Sequence, residues 1–198
     1  MNFRKISLLV VIFSLFAAIP VQAQTSVPPP GVQFLLNTMT PEERVGQLFL
    51  VTFNGTDTTS TSQIHTLISR YHIGGVVLLS ENDNFTSAPD TLKDAHGLIE
   101  DLQNVNWATS ITPDPEAETE KPSVYIPLFV GIAQEGNGYP TDQILSGLTP
   151  LPSEMAIGAT WNTELASQVG EVRGQELAAL GFNLYFGPSL DVLESPTI

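Results

Sequence analysis

Cysteine is absent from the 198 residues. Disulfide frameworks, thiolate zinc sites, cysteine nucleophiles and a lipidated N-terminal cysteine are thereby excluded. Histidine is scarce: His65, His72 and His96 are the whole supply, too few for a histidine-rich metal site. Positive charge is scarce as well. Seven basic residues face 21 acidic ones, for a formal net charge of -14. A nucleic-acid binder needs a basic footprint over phosphates, and a polybasic membrane-surface module needs a similar one. The chain supplies neither. It also lacks a G-x-G-x-x-G fingerprint after its first buried run and a Walker lysine loop, so dinucleotide and P-loop readings are weak. The sequence implies no metal and no cofactor. What it does hold is apolar: 42% hydrophobic residues and only 14% charged ones, with Gly 15 and Pro 15. That is too apolar for an acidic disordered tail and enough for a core.

The first residues have the three-part pattern of a secretory signal peptide. Arg4 and Lys5 precede an apolar run over Ile6–Ile19, Pro20 breaks it, and Val21-Gln22-Ala23 forms a small-x-small cleavage site. The run is short for a membrane span. Residues 1–23 are therefore expected to be removed, placing the mature chain outside the cytoplasm with no membrane attachment. Cleavage takes two of the seven basic residues and none of the 21 acidic ones, leaving a net charge of -16. Residues 24–38, with Pro28-Pro29-Pro30, read as a proline-rich spacer and lead-in.

From residue 39 onward strand and helix patterns alternate. Thr40-Pro41-Glu42-Glu43 is a helix start with a capping box, running through Gln47. Leu48–Phe53, Ile73–Ser80, Val124–Ile132 and Phe182–Phe186 are apolar runs of buried-strand type. Pro127 is awkward in mid-sheet, so the third strand starts there or carries it at one face. Helical spacing marks Ser60–Tyr71, Pro89 to about Trp107, and Asn162–Leu180, which Gly181 stops. Ser153–Gly158 is a short helical turn. Ala108–Ser123 carries no apolar period and reads as a surface loop.

Continuous apolar strands separated by helices define an α/β chain with a parallel sheet. An open doubly wound sheet and part of a (β/α) barrel both fit. The missing dinucleotide fingerprint favours the barrel. A complete barrel takes about 250 residues, so four βα units would be the first half of one. Chemistry in either architecture collects at the C-terminal ends of the strands. Those positions hold Thr52 and Asn54; Ser80, Glu81, Asn82 and Asp83; Gln134 and Glu135; Ser189 and Asp191. Carboxylate and amide oxygens accept hydrogen bonds from hydroxyl groups, so this rim suits hydroxyl-rich ligands and suits phosphorylated ones badly. Asp191 also fits as a turn acceptor after Gly187-Pro188, and Glu135 as a buried partner for loop amides.

Several segments, in order over Met39–Val192, resemble the N-terminal barrel domain of family-3 glycoside hydrolases. They are Met39-Thr40-Pro41-Glu42-Glu43-Arg44-Val45-Gly46-Gln47-Leu48-Phe49, Ile73-Gly74-Gly75-Val76-Val77-Leu78, and Ile126-Pro127-Leu128-Phe129-Val130 leading into Gln134-Glu135-Gly136. Three more follow: Pro152-Ser153-Glu154-Met155-Ala156-Ile157-Gly158-Ala159-Thr160, Glu176–Asn183, and Gly187-Pro188-Ser189-Leu190-Asp191-Val192. The resemblance implies a TIM-type barrel over residues 39–198, incomplete here, and retaining hydrolysis of β-linked sugars. The β-N-acetylhexosaminidase branch is somewhat more similar than the β-glucosidase branch. It implies Gln134, Glu135 and Asp191 as sugar contacts. The family's sugar-binding aspartate in the third-strand turn is Ala133 here, and the turn's second glycine is Asn137. The lysine–histidine segment, acid/base loop and aspartate nucleophile of that family would lie beyond Ile198, so no catalytic residue is assigned. Two other readings stay open: a non-catalytic sugar-binding relative, motivated by Ala133, and a barrel enzyme for another small polar substrate.

Overall fold

A computed structural model of the chain describes residues 28–112 and 124–191. The predicted signal peptide, most of the predicted 108–123 loop, and residues 192–198 lie outside the described residues. Contacts divide the chain into Met1–Phe34 and Leu35–Ile198. Helix α1 (Pro30–Thr38) crosses that boundary. Part of the expected spacer is thus helical, a correction with a simple cause. Pro30 occupies the first helical position, where its missing N–H and fixed φ cost nothing.

In the second unit, α2 (Pro41–Gly46) starts as the sequence predicts. The Thr40 hydroxyl accepts from the Glu43 N–H at 3.1 Å, and the Glu43 carboxylate accepts from the Thr40 N–H at 2.7 Å. Next come β1 (Leu50–Val51), α3 (Gln63–Ser69), β2 (Gly75–Val77), α4 (Thr91–Ile111), β3 (Phe129–Ile132), α5 (Glu154–Ala159), α6 (Thr163–Leu180) and β4 (Leu184–Tyr185). Helix α4 runs four residues past Trp107, so Ala108–Ile111 is helix where a loop was expected. Asn162 caps α6, and Gly181 ends it in the left-handed region at φ 101°, which glycine adopts without penalty.

The described strands form one parallel sheet in the order β1-β2-β3-β4. A doubly wound sheet reverses its strand order at a switch point. Strands that follow one another in sequence order are the barrel pattern. The register sets two faces. Val51, Val76 and Val130 lie in one row, with Leu78 and Ile132 beyond. These pack with Ile64 and Ile68 of α3, Leu98, Ile99 and Leu102 of α4, and Leu177 and Leu180 of α6. Burying each such side chain contributes about 1.5–3 kcal/mol. The opposite face carries Leu50, Gly75 and Phe129 in one row and Val77, Gly131 and Leu184 in the next. Its large groups are open: Leu50 is 44% exposed and Phe129 52%. Gly75 and Gly131 leave room for them. A Cβ on Gly75 would collide with the Phe129 carbonyl oxygen, and one on Gly131 would lie 2.6 Å from the Phe186 ring.

Candidate functional site

The loops leaving the strand C-termini are tied to one another, strand by strand. Asn84 is buried and links the exits of β1 and β2. Its Oδ1 accepts from Leu79 N–H at 2.9 Å, while its Nδ2 donates to the Phe53 carbonyl at 3.1 Å and the Gly55 carbonyl at 2.7 Å. Gln143 links the β2 exit to the β3 loop, because its Oε1 accepts from the Ser80 N–H at 2.7 Å and from the Ser80 hydroxyl at 3.1 Å. Asp83, predicted on this rim, takes the left-handed conformation at φ 57°, which a short Asp side chain tolerates. Thr52, Asn54 and Glu81 are exposed.

Ala133 is half-buried at the exit of β3. Gln134 follows and is only 2% exposed. Its Nε2 donates to the Ile144 carbonyl at 2.8 Å, and its Oε1 accepts from Gln143 N–H at 3.1 Å and Ile144 N–H at 2.9 Å. The structure thus places Gln134 as a clamp that closes the 134–144 loop. Gly136 needs its glycine: φ is +86°, and a Cβ there would press on Leu151 at 2.8 Å. The buried partner for the loop amides is Asp142, not Glu135. Asp142 Oδ1 accepts from the N–H groups of Glu135 at 2.7 Å and Gly136 at 2.8 Å, and Oδ2 accepts from Gly138 N–H at 2.7 Å.

Arg173 ties the β3 exit to β4. It is buried on α6, in line with Val169, Leu177 and Leu180. Its Nη1 donates to the Tyr185 hydroxyl at 3.0 Å. Nη2 donates to the Glu135 carbonyl and, at 3.2 Å, to the Glu154 carboxylate. The guanidinium carbon also stands 5.8 Å from the centre of the Tyr185 ring. Burial raises the Tyr185 phenol above its ordinary pKa, and the guanidinium opposes that shift.

The three sequence-predicted contacts therefore separate. Gln134 is spent on the loop. Glu135 and Asp191 approach one another across the β4 exit through Ser189. The Glu135 carboxylate accepts from Ser189 N–H at 3.4 Å, and Asp191 accepts from the Ser189 hydroxyl at 3.5 Å. Beside Asp191 runs a groove of about 990 Å³ between α5, α6 and β4, lined mostly by apolar residues and glycines such as Val169, Gly170 and Leu177, with Arg173, Tyr185 and Ser189 among its polar lining. A second cavity, of about 230 Å³, is lined in part by Gln134, Gly136, Asp142, Arg173 and Glu176. Two accessible carboxylates flanking a hydroxyl can accept several hydrogen bonds from a polyol. Among the described residues, no group of three or more His, Asp or Glu side chains is placed to hold a metal ion.

Asn84, Asp142, Gln143 and Arg173 are functional positions that the sequence pattern does not mark as rim residues. Arg173 had a signal, being a charge on the apolar stripe of α6 at helical spacing from Val169 and Leu177. The other three lie in loops, where no periodicity marks a buried polar side chain.

The chain is similar to known proteins over most of its described length. The glycosyl hydrolase family 3 N-terminal domain model matches residues 40–198. Beta-hexosaminidase A of Pseudoalteromonas piscicida is 31% identical over 142 residues, 70% of this chain and 20% of that protein. Beta-N-acetylglucosaminidase/beta-glucosidase of Cellulomonas fimi is 27% identical over 162 residues, 81% of this chain and 23% of that protein. The solved structure of a glycoside hydrolase family 3 beta-N-acetylglucosaminidase from Paenibacillus sp. strain FPU-7 superposes with a TM-score of 0.61 at 29% identity, covering 78% of this chain and 25% of that one. The chain thus spans about a fifth to a quarter of these three proteins. With a family match over residues 40–198 and a sheet that matches part of the family's barrel, the chain belongs to glycosyl hydrolase family 3, within its N-terminal domain.

Proposed function

We propose that these residues form the opening part of the sugar site of a secreted, retaining glycoside hydrolase of the β-N-acetylhexosaminidase or β-glucosidase type. The observation that carries this reading is the β3–β4 rim. Glu135 and Asp191 face each other through Ser189 at the C-terminal end of a sequentially ordered parallel sheet, where barrel enzymes bind substrate. In the proposed reaction one carboxylate attacks the anomeric carbon and breaks its bond to the leaving oxygen, which a second group protonates. Water then releases the sugar with retention. We assign neither the nucleophile nor the acid/base to any of these 198 residues. Gln134, Glu135 and Asp191 are sugar-side residues in this reading, Glu135 and Asp191 by direct contact and Gln134 through the loop it closes. Residues 1–23 direct export and are removed after Ala23.

Ala133 favours a second reading, a non-catalytic sugar binder, because alanine offers no acceptor where the resemblance expects a carboxylate. The test uses purified residues 24–198 with nitrophenyl β-N-acetylglucosaminide and β-glucoside. The expected result is sugar binding without turnover. Hydrolysis would show that the catalytic groups are present after all, and absence of any sugar binding would reject both readings.

A further inference from the structure

We propose that Asp142 is the positioning residue that sets the turn after β3 in its sugar-facing shape, an inference that rests on the sugar-site reading above. Asp142 is 5% exposed. Its two oxygens gather three main-chain N–H groups, from Glu135, Gly136 and Gly138, all within 2.8 Å. Successive N–H groups converge on one anion when the backbone turns through a left-handed residue, which makes a concave nest. Here Gly136 at φ +86° and Gly138 at φ +92° supply that backbone. The nest is filled by the chain's own carboxylate, contributed four residues after Gly138.

The consequence falls on Glu135. Its N–H is held by Asp142 and its carbonyl by Arg173. With both main-chain groups fixed from opposite sides, the side chain alone remains to turn, and it lies against Ser189. The other main-chain ends of the turn are fixed as well. Leu151 N–H donates to the Gly136 carbonyl at 2.8 Å, and Asp142 N–H donates to the Gly138 carbonyl at 3.1 Å. Asp142 thus acts on the ligand through Glu135 and does not touch it. A carboxylate is the right group because it has about four lone-pair sites on two oxygens. A carboxamide could serve Glu135 and Gly136 with its one oxygen, but its NH₂ would meet the Gly138 N–H donor to donor.

The experiment uses the whole 198-residue chain, labelled with ¹⁵N, with N-acetylglucosamine as the probe. Amide exchange is read at Glu135, Gly136 and Gly138, and at Leu128 and Val130 as remote reporters. In wild type all three turn amides are protected, and sugar shifts the Glu135 and Ser189 resonances. Asp142→Asn keeps protection at Glu135 and Gly136, loses it at Gly138, and binds sugar more weakly than wild type. Asp142→Ala loses all three and weakens sugar binding about tenfold or more, while Leu128 and Val130 stay protected. Wild-type affinity in Asp142→Ala overturns the proposal. If Asp142→Ala does not fold, Asp142→Asn decides: selective loss at Gly138 with weaker binding supports the role, and unchanged affinity rejects it. Absence of any sugar-induced shift in wild type overturns the sugar reading and this role with it, and protected turn amides in that case would show that the carboxylate shapes the turn for something else.

Discussion

At the N-terminal end of the strands, most side-chain ties are neutral amides, and the one carboxylate among those described is Glu43, which accepts from Val124 N–H at 3.2 Å. Gln103 on α4 accepts from Leu128 N–H at 3.1 Å and donates to the Leu128 carbonyl at 2.9 Å. Asn183, just before β4, accepts from Val130 N–H at 2.7 Å and donates to the same Leu128 carbonyl at 2.9 Å. Asn106 donates to the Ile126 carbonyl, and Gln47 to the His72 carbonyl. At the C-terminal end, neutral ties from Asn84, Gln134 and Gln143 are joined by charged ones: Asp142 on three amides, Arg173 on Glu135, Glu154 and Tyr185. A neutral amide fixes a strand start without itself adding an ionic group to be matched. Charge-assisted bonds are shorter and stronger, and they hold irregular backbone in a chosen shape. We propose that the first end serves stability and the second ligand placement, the division of labour found in barrel enzymes.

The largest effect should come from the crowded strand starts. Gly75→Ala puts a Cβ against the Phe129 carbonyl, a backbone atom with little room to move. Denaturant unfolding should show a loss of about 3 kcal/mol; a loss below about 1 kcal/mol would mean the rows at this end are not tightly packed. Gln103→Ala strips both partners from Leu128 that α4 provides and should cost about 2 kcal/mol. Sugar affinity should not change, and a fall in affinity at full folding would break the division between the two ends.

Ala133→Asp acts in the opposite sense, on affinity with little change in stability. A charged acceptor bond is worth about 1.5–3 kcal/mol, so calorimetric titration with simple β-glycosides should show binding about tenfold tighter. Unchanged or weaker binding would mean that Glu135 or Asp191 already fills that place. The smallest effect is electrostatic. Burial favours the neutral form of Tyr185, so the unfolded chain gives up this proton first as pH rises. The stability from the neutral phenol is complete below the ordinary value of 10.0 and is lost as pH climbs through the raised folded value. Between about pH 8 and pH 11 the thermal midpoint of wild type should fall more than that of Tyr185→Phe. Equal falls would show that the phenol ionises as freely folded as unfolded.

Locally encoded features were legible in the sequence. Thr40 with Glu43, Ser153, and Asn162 with Gly181 all cap helices as their types suggest, because a cap is set within a few residues. The parallel sheet was legible from the alternation of elements, and the barrel-type order was favoured only by the missing dinucleotide fingerprint. Strand length was not. Val124–Ile132 reads as an apolar run with its strand starting at Pro127 or carrying that proline at one face, and pairing is confined to Phe129–Ile132. Leu128 finds its partners in the side chains of Gln103 and Asn183 instead of a neighbouring strand, and composition does not distinguish the two. Pro28-Pro29-Pro30 suggested an extended spacer, while Pro30 in fact opens a helix. At the site, the rim positions were legible from the barrel rule, but their roles were not. Gln134 and Glu135 are adjacent polar residues on one turn; what separates the buried clamp from the accessible carboxylate is where Ile144 and Ser189 arrive from elsewhere in the chain.

The most direct test of the division between the two ends is the map of amide shifts that N-acetylglucosamine induces on the folded chain. The account predicts shifts at Glu135, Gly136, Ser189 and Asp191, and none at Leu128, Val130 or Asn183. Shifts centred on Leu128, Val130 and Asn183, or no shifts at the β3–β4 rim, would contradict it.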